Sequence, residues 1–194
     1  LGTATNGITA NQLKITAVGN VSQTQPYALQ NAIDAVAVNI STSAGGLISL
    51  DNPNNKIGGL TLSNGGVITL TSNAGLAITG LNGTVITIIA NGDVTQLPGP
   101  GNAIIATTSL TVTDTAGSVT LDNPANNTPS LAISNPGRNV TYKNAGALDI
   151  AAAGIQGGAI ALTTIGGLTD TGALTGTSLA VTNTGGSVVL DNAG

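Results

Sequence analysis

Asp51, Asp122 and Asp191 each follow a leucine and precede an asparagine: Asn52, Asn123 and Asn192. Oxygen-bearing side chains that recur in this way could hold Ca²⁺ or hydrogen-bond a carbohydrate. A calcium ion, however, takes roughly six to eight oxygens, more than adjacent Asp-Asn pairs supply, and the glycine-rich nonapeptide of calcium-binding β-helices is missing. The reading the residues favour is a turn, with Asx side chains bonding the local backbone and Asn tolerating left-handed geometry.

Other chemistry is restricted by residue type. The chain has no His and no Cys, so a Ser-His-Asp triad, a Cys-His nucleophile and an ordinary zinc site are all closed to it. A carboxylate and arginine mechanism would have to use the single arginine, Arg138, with aspartates scattered one at a time along the chain. Function must be argued from a site, and on these residues the expectation is no enzyme, no cofactor and no metal.

Two further patterns could carry binding or modification. Thr69/Thr71, Thr111/Thr113 and Thr163 beside Thr164 invite comparison with ice-binding solenoids, which present flat hydroxyl arrays. Their positions drift along the sequence, which favours an ordinary solvent-facing strand surface. Asn-x-Ser/Thr acceptor motifs stand at Asn20, Asn39, Asn82, Asn126 and Asn139, in a composition where such motifs arise readily by chance.

The elements that must position these residues follow from composition and repeat. Hydrophobic residues make up 41 % of the 194 but aromatic ones only 1 %, and charged residues only 6 %. The core is therefore built from Ala, Val, Ile and Leu, and a chain neither weakly hydrophobic nor highly charged should fold. All eight acidic residues are Asp, and the basic ones are Lys14, Lys56, Arg138 and Lys143. Helix formers are scarce, strand and turn residues abound, and helix is expected only weakly, around Tyr27 to Val38. A net charge of -4 without a basic patch disfavours nucleic acid. No apolar run of about 18 residues exists to span a membrane as a helix, and Leu1 to Asn6 does not read as a signal peptide.

Self-similarity at long range is the strongest signal. Segments beginning Gly7-Ile8, Gly80-Leu81 and Gly154-Ile155 align with offsets of 73 and 74, and Leu50-Asp51-Asn52, Leu121-Asp122-Asn123 and Leu190-Asp191-Asn192 recur at 71 and 69. The repeats divide the chain into 1–18, 19–91, 92–165 and 166–194, the first the end of a copy and the last the start of one. Within each, apolar-x-apolar pairs such as Ile68/Leu70, Leu110/Val112, Val119/Leu121 and Ile160/Leu162 recur at short intervals, between Gly-Gly, Asn-Gly and Asn-Pro corners. A sandwich or barrel would draw on aromatic residues to fill a core about 10 Å thick, and this chain has no Phe or Trp. A narrow solenoid stacks like on like. The predicted fold is all-β, a right-handed parallel β-helix forming one segment, with about 24 residues per coil if three coils make one repeat.

Gln25-Pro26-Tyr27 through Ala37 interrupts the repeat, with counterparts at Pro98 to Thr108 and Gly172 to Thr177. Insertions at one repeat position map to loops on one side of a solenoid, where binding concentrates. Gln25, Tyr27 and Gln30 are the candidate contact residues.

Gly-Asp-Val-Thr-Gln (92 to 96), Gly-Ser-Val-Thr-Leu-Asp-Asn (117 to 123), Asn-Ala-Gly-Ala-Leu-Asp-Ile (144 to 150) and Gly-Gly-Leu-Thr-Asp-Thr-Gly-Ala-Leu (166 to 174) carry a further signal. In these phrases the sequence resembles the filamentous haemagglutinin-like exoproteins of Gram-negative bacteria, a repeat style shared with autotransporter passengers. The resemblance spans nearly the whole chain and is one of repeat style rather than of any site motif. It implies the shaft of a large secreted or outer-membrane-attached adhesin, active in attachment or biofilm-type contacts. The implied partners are host or neighbouring cell surfaces, glycans among them, and further repeats or copies joined end to end. A stand-alone module binding glycan, ice or its own copies is the alternative.

Overall fold

A computed structural model describes residues 7–23, 31–43, 45–63 and 66–192. Among them are seventeen strands in a single parallel ladder, and helical backbone is confined to the short turn Pro100–Asn102 and to Asn31. The alternation that predicted strands also sets their faces. In Ile68–Ser72 the side chains of Ile68, Leu70 and Ser72 are buried while Thr69 and Thr71 look outward, as a period of two requires.

Each strand pairs with the one a full coil later, so the chain is a parallel β-helix. On a first face Val21, Ile48, Ile68, Ile86, Leu110, Leu131 and Ile150 stack in one column, which ends on Asp170. A second column runs Leu76, Val94, Val119, Val140, Ile160, Leu179. A third face carries Ile15, Ile40, Leu62, Leu81 and Ile104. These stacks merge into one aliphatic core running the length of the rod. About eight coils at the usual strand spacing make a rod on the order of 40 Å long.

The coil is shorter than three coils per repeat would give. Seven steps carry the first column from Val21 to Asp170, a mean of about 21 residues, and single steps range from the 18 between Ile68 and Ile86 to the 27 between Val21 and Ile48. The difference comes from how the long repeat maps onto the coil. Val21 and Val94 occupy the same place in successive repeats. Three coils from Val21 lead to Ile86, and the chain then runs on to the next face before reaching Val94. Three coils from Val94 lead to Ile160, and again one more strand is needed to reach Leu168. Leu168 stacks on Leu148 in the strand Leu168–Asp170, two residues before the Asp170 that ends the column of Val21. One repeat is therefore three coils plus one face. The first two copies begin on different faces, so equivalent features of these neighbouring repeats do not line up on one side, which corrects the expectation that insertions at one repeat position share a side.

The helix expected near Tyr27 to Val38 is corrected from Ile33 on, while Asn31 has 3-10 backbone. Ile33–Thr42 is a strand whose Ile33 and Ala35 pair with Ile8 and Ala10. Weak local preference gives way to a ladder that buries Ile33, Ala35, Val38 and Ile40.

Length differences between coils are absorbed at the corners, where backbones approach closely, and at register shifts between Leu60 and Leu62, Gly83 and Val85, and Leu131 and Ile133. At the corner 114–117 the buried Asp114 carboxylate accepts the backbone N–H groups of Gly92, Ala116 and Gly117. A Cβ on Gly117 would lie 2.1 Å from the Asp93 nitrogen, whereas one on Gly101 would meet nothing within 4 Å. Gly117→Ala is therefore expected to cost about 1–3 kcal/mol through forced backbone movement, with Gly101→Ala within about 0.5 kcal/mol of the parent. Urea unfolding of the two variants side by side checks this.

Candidate functional site

The recurring Leu-Asp-Asn corner is built the same way twice. Asn52 Oδ1 accepts the Asn54 N–H at 2.9 Å, and Asn123 Oδ1 accepts the Ala125 N–H at 2.9 Å. Three residues past each of these asparagines stands a second one, fully buried: Asn55 and Asn126. The Asn126 amide pairs reciprocally with Gln96, the Gln96 Nε2 donating to Asn126 Oδ1 at 2.7 Å and the Asn126 Nδ2 donating to Gln96 Oε1 at 3.0 Å. Asn126 also accepts the Ile104 N–H and donates to the Leu121 carbonyl. In the earlier copy Asn55 and Gln23 make the same pair at 2.9 Å in both directions, with Ile33 and Leu50 in the backbone roles. In the third copy Asp170 takes the glutamine's place and accepts the N–H groups of Asp191 and Asn192.

Thus Asn52 and Asn123 bond the local backbone, and Asn192 donates to the Thr171 carbonyl of the neighbouring coil. Asp51, Asp122 and Asp191 play no such part: one Asp51 oxygen is buried without a hydrogen-bond partner among the described residues. Asp51 and Asp191 follow strands of the first face several coils apart and Asp122 follows one of the second face, so they do not converge. No group of three or more acidic side chains suited to a metal exists among the described residues. Gln25, Tyr27 and Gln30 lie outside the described residues. Gln23, Gln96, Asn55 and Asn126 are the polar residues that sequence reasoning missed. Their signal was available: glutamine occupies an inward place in Val21-Ser22-Gln23 and again in Val94-Thr95-Gln96, and a polar group turned into an aliphatic core needs a partner.

The acceptor motifs fall into distinct surroundings. Asn126 is fully buried in the amide pair. Asn20 and Asn139 each accept a backbone N–H from the next coil, of Leu47 and Ala159. Asn39 and Asn82 project outward from strands.

The threonines differ from the sequence expectation. Their positions drift along the chain, yet Ser49, Thr69, Thr87 and Thr111 stack in register on the outer side of the first face. The drift arises at the corners and leaves the strands aligned.

Tyr142 occupies a place on the second face where neighbouring coils have Leu121 and Leu162. It is fully buried and its hydroxyl donates to Asn144 Oδ1 at 3.4 Å. Burial pushes the phenol well above its ordinary value of 10.0, only partly opposed by the Thr128 hydroxyl. The folded protein holds this proton while the unfolded chain releases it above pH 10, so the stability linked to Tyr142 is whole below pH 10 and is lost as pH rises past it. Denaturant midpoints at pH 8 and pH 11 are expected to drop further in the parent than in Tyr142→Phe. The slope difference reaches at most about 1.4 kcal/mol per pH unit.

A concavity of about 260 Å³ opens beside the first described coil and is lined by Ile8, Ile15, Val21, Gln23, Ile33 and Leu50. Its lining residues include no ionisable group. No helix among the described residues is long and apolar enough to cross a membrane.

These features define a parallel β-solenoid whose inward polar groups serve its own corners. Residues 137–194 match a family described as repeats of unknown function (DUF5649). No curated protein and no solved structure matches the chain.

Proposed function

We propose that this chain is a shaft segment of a large surface adhesin of a Gram-negative bacterium, similar in style to the filamentous haemagglutinin-like exoproteins. The observation that carries the reading is the continuous aliphatic core of a parallel β-helix, built from a repeat long enough to wrap three coils and one further face. Such a unit extends by stacking, because each coil offers the next an unbroken set of backbone donors and acceptors. The polar groups at the repeated corner are engaged in holding the coil, which leaves recognition to other parts of a long molecule. The lack of cysteine suits export across a membrane in an unfolded state.

The test is a glycan array and a cell-binding assay with this chain alone, labelled at Gly101→Cys. A shaft gives no saturable binding to either. Saturable, competable binding to a glycan or to intact cells overturns the shaft reading in favour of a module that binds by itself.

A further inference from the structure

The outer side of the first face carries a threonine array that the shaft reading does not use. Thr69, Thr87 and Thr111 stack directly on one another, with Ser49 one coil before and Ala132 one coil after. Beside them Thr71, Ile89, Thr113 and Ser134 form a second column in the same register. No register shift falls within either column between Thr69 and Ser134, so the hydroxyls and methyls lie on a regular grid. Its spacings are about 4.8 Å from coil to coil and about 6.7 Å along the strand. Threonine's stiff χ1 keeps each group where the backbone puts it.

Three observations limit what such a grid can meet. Among the described residues no hydroxyl of Thr69, Thr71, Thr87, Thr111 or Thr113 has a protein partner, whereas Thr61 and Thr79 on the next face bond each other. From Thr69 to Ser134 the two columns carry no charge, which gives no purchase to a nucleic acid, an ion or a charged membrane. They hold no aromatic ring, the usual platform for stacking a sugar. A neutral grid of paired hydroxyl and methyl groups complements another neutral grid of hydrogen-bonding groups at similar spacing, and the surface of crystalline water is one.

We propose that the first face orders water in an ice-like layer and through it binds the surface of ice. This rests on the fold and on the threonine register, and is independent of the adhesin reading. Ile89 is the one gap in the grid over the three coils of Thr69, Thr87 and Thr111. Its branched side chain keeps the methyl of a threonine and lacks the hydroxyl, and it is 40 % exposed.

The experiment grows a single ice crystal in a dilute solution of the fluorescently labelled full chain and measures label incorporated into the ice. The parent is expected to enter the ice. Thr87→Lys and Thr111→Lys, each placing a charge in the grid, are expected to lose incorporation. Thr120→Lys on the second face is expected to retain it, and Ile89→Thr to increase it. Circular dichroism confirms that each variant keeps its β signal, and any that does not is replaced by Ser at the same position, where partial loss is expected. Exclusion of the parent from ice overturns the proposal. So does an equal loss in Thr120→Lys and Thr87→Lys, which would make incorporation a general property of the surface.

Discussion

Asn126→Ala is expected to lower the unfolding free energy by about 3–5 kcal/mol, the largest effect of any single truncation at a corner. The side chain is fully buried and makes four hydrogen bonds, two with Gln96 and one each with the Ile104 N–H and the Leu121 carbonyl. Alanine removes all four, leaving the Ile104 N–H and the Leu121 carbonyl without this partner and Gln96 with only its bonds to the Asn102 carbonyl and the Asn123 N–H. A hydrogen bond in place contributes about 1 kcal/mol net, but each buried group left unpaired costs about 1–3 kcal/mol. The total stays below a simple sum because the corner can admit water. Asn127→Ala next to it, at an exposed position, is expected to stay within about 0.5 kcal/mol. Urea unfolding with both variants measures the difference, and hydrogen exchange adds a spatial check. Loss of protection should centre on the Gln96 and Leu121 strands, since coils couple chiefly to their neighbours.

Ile88→Ala is expected to cost about 2–5 kcal/mol, and Ile89→Ala almost nothing. The two residues are adjacent on one strand and differ in which way they point. Ile88 is sandwiched between Leu70 and Val112 with no exposed surface, while Ile89 faces outward. Truncating a stacked residue removes its transfer free energy and leaves a cavity that a narrow interior, held by ladders on every face, can hardly close. Ile88→Lys should be far worse, placing an unpaired charge between two aliphatic side chains, and it is expected to abolish the cooperative transition. Thermal unfolding followed by far-ultraviolet circular dichroism gives the ranking.

Some of these elements can be read from the sequence and others cannot. Apolar pairs such as Ile68/Leu70 and Leu110/Val112 mark inward positions correctly because strand alternation is local and needs no knowledge of partners. The class of fold follows from the same pairs and from the absence of Phe and Trp. The coil length was not legible. The long offset between Val21 and Val94 is visible, but whether it contains a whole number of coils depends on which face each strand joins, a long-range matter. The same gap hid the threonine array: Thr69, Thr87 and Thr111 are unevenly spaced in sequence and aligned in space, because corners of different length separate them. The amide pair Gln96–Asn126 links residues 30 apart. Only the inward glutamine hints at it, and its partner is set by the stacking.

The geometry of the whole rod depends on the register that makes one repeat three coils plus one face. Nitroxide labels on cysteine pairs read that register through dipolar broadening in frozen solution. A label at Thr69→Cys is predicted to broaden strongly with one at Thr87→Cys, its neighbour on the next coil. With one at Asp93→Cys, further along the chain at the corner leading to the second face, broadening is predicted to be weaker. The reverse order, strongest with Asp93→Cys, would mean three equal coils per repeat with the repeats aligned on one side, and would refute the stepped register.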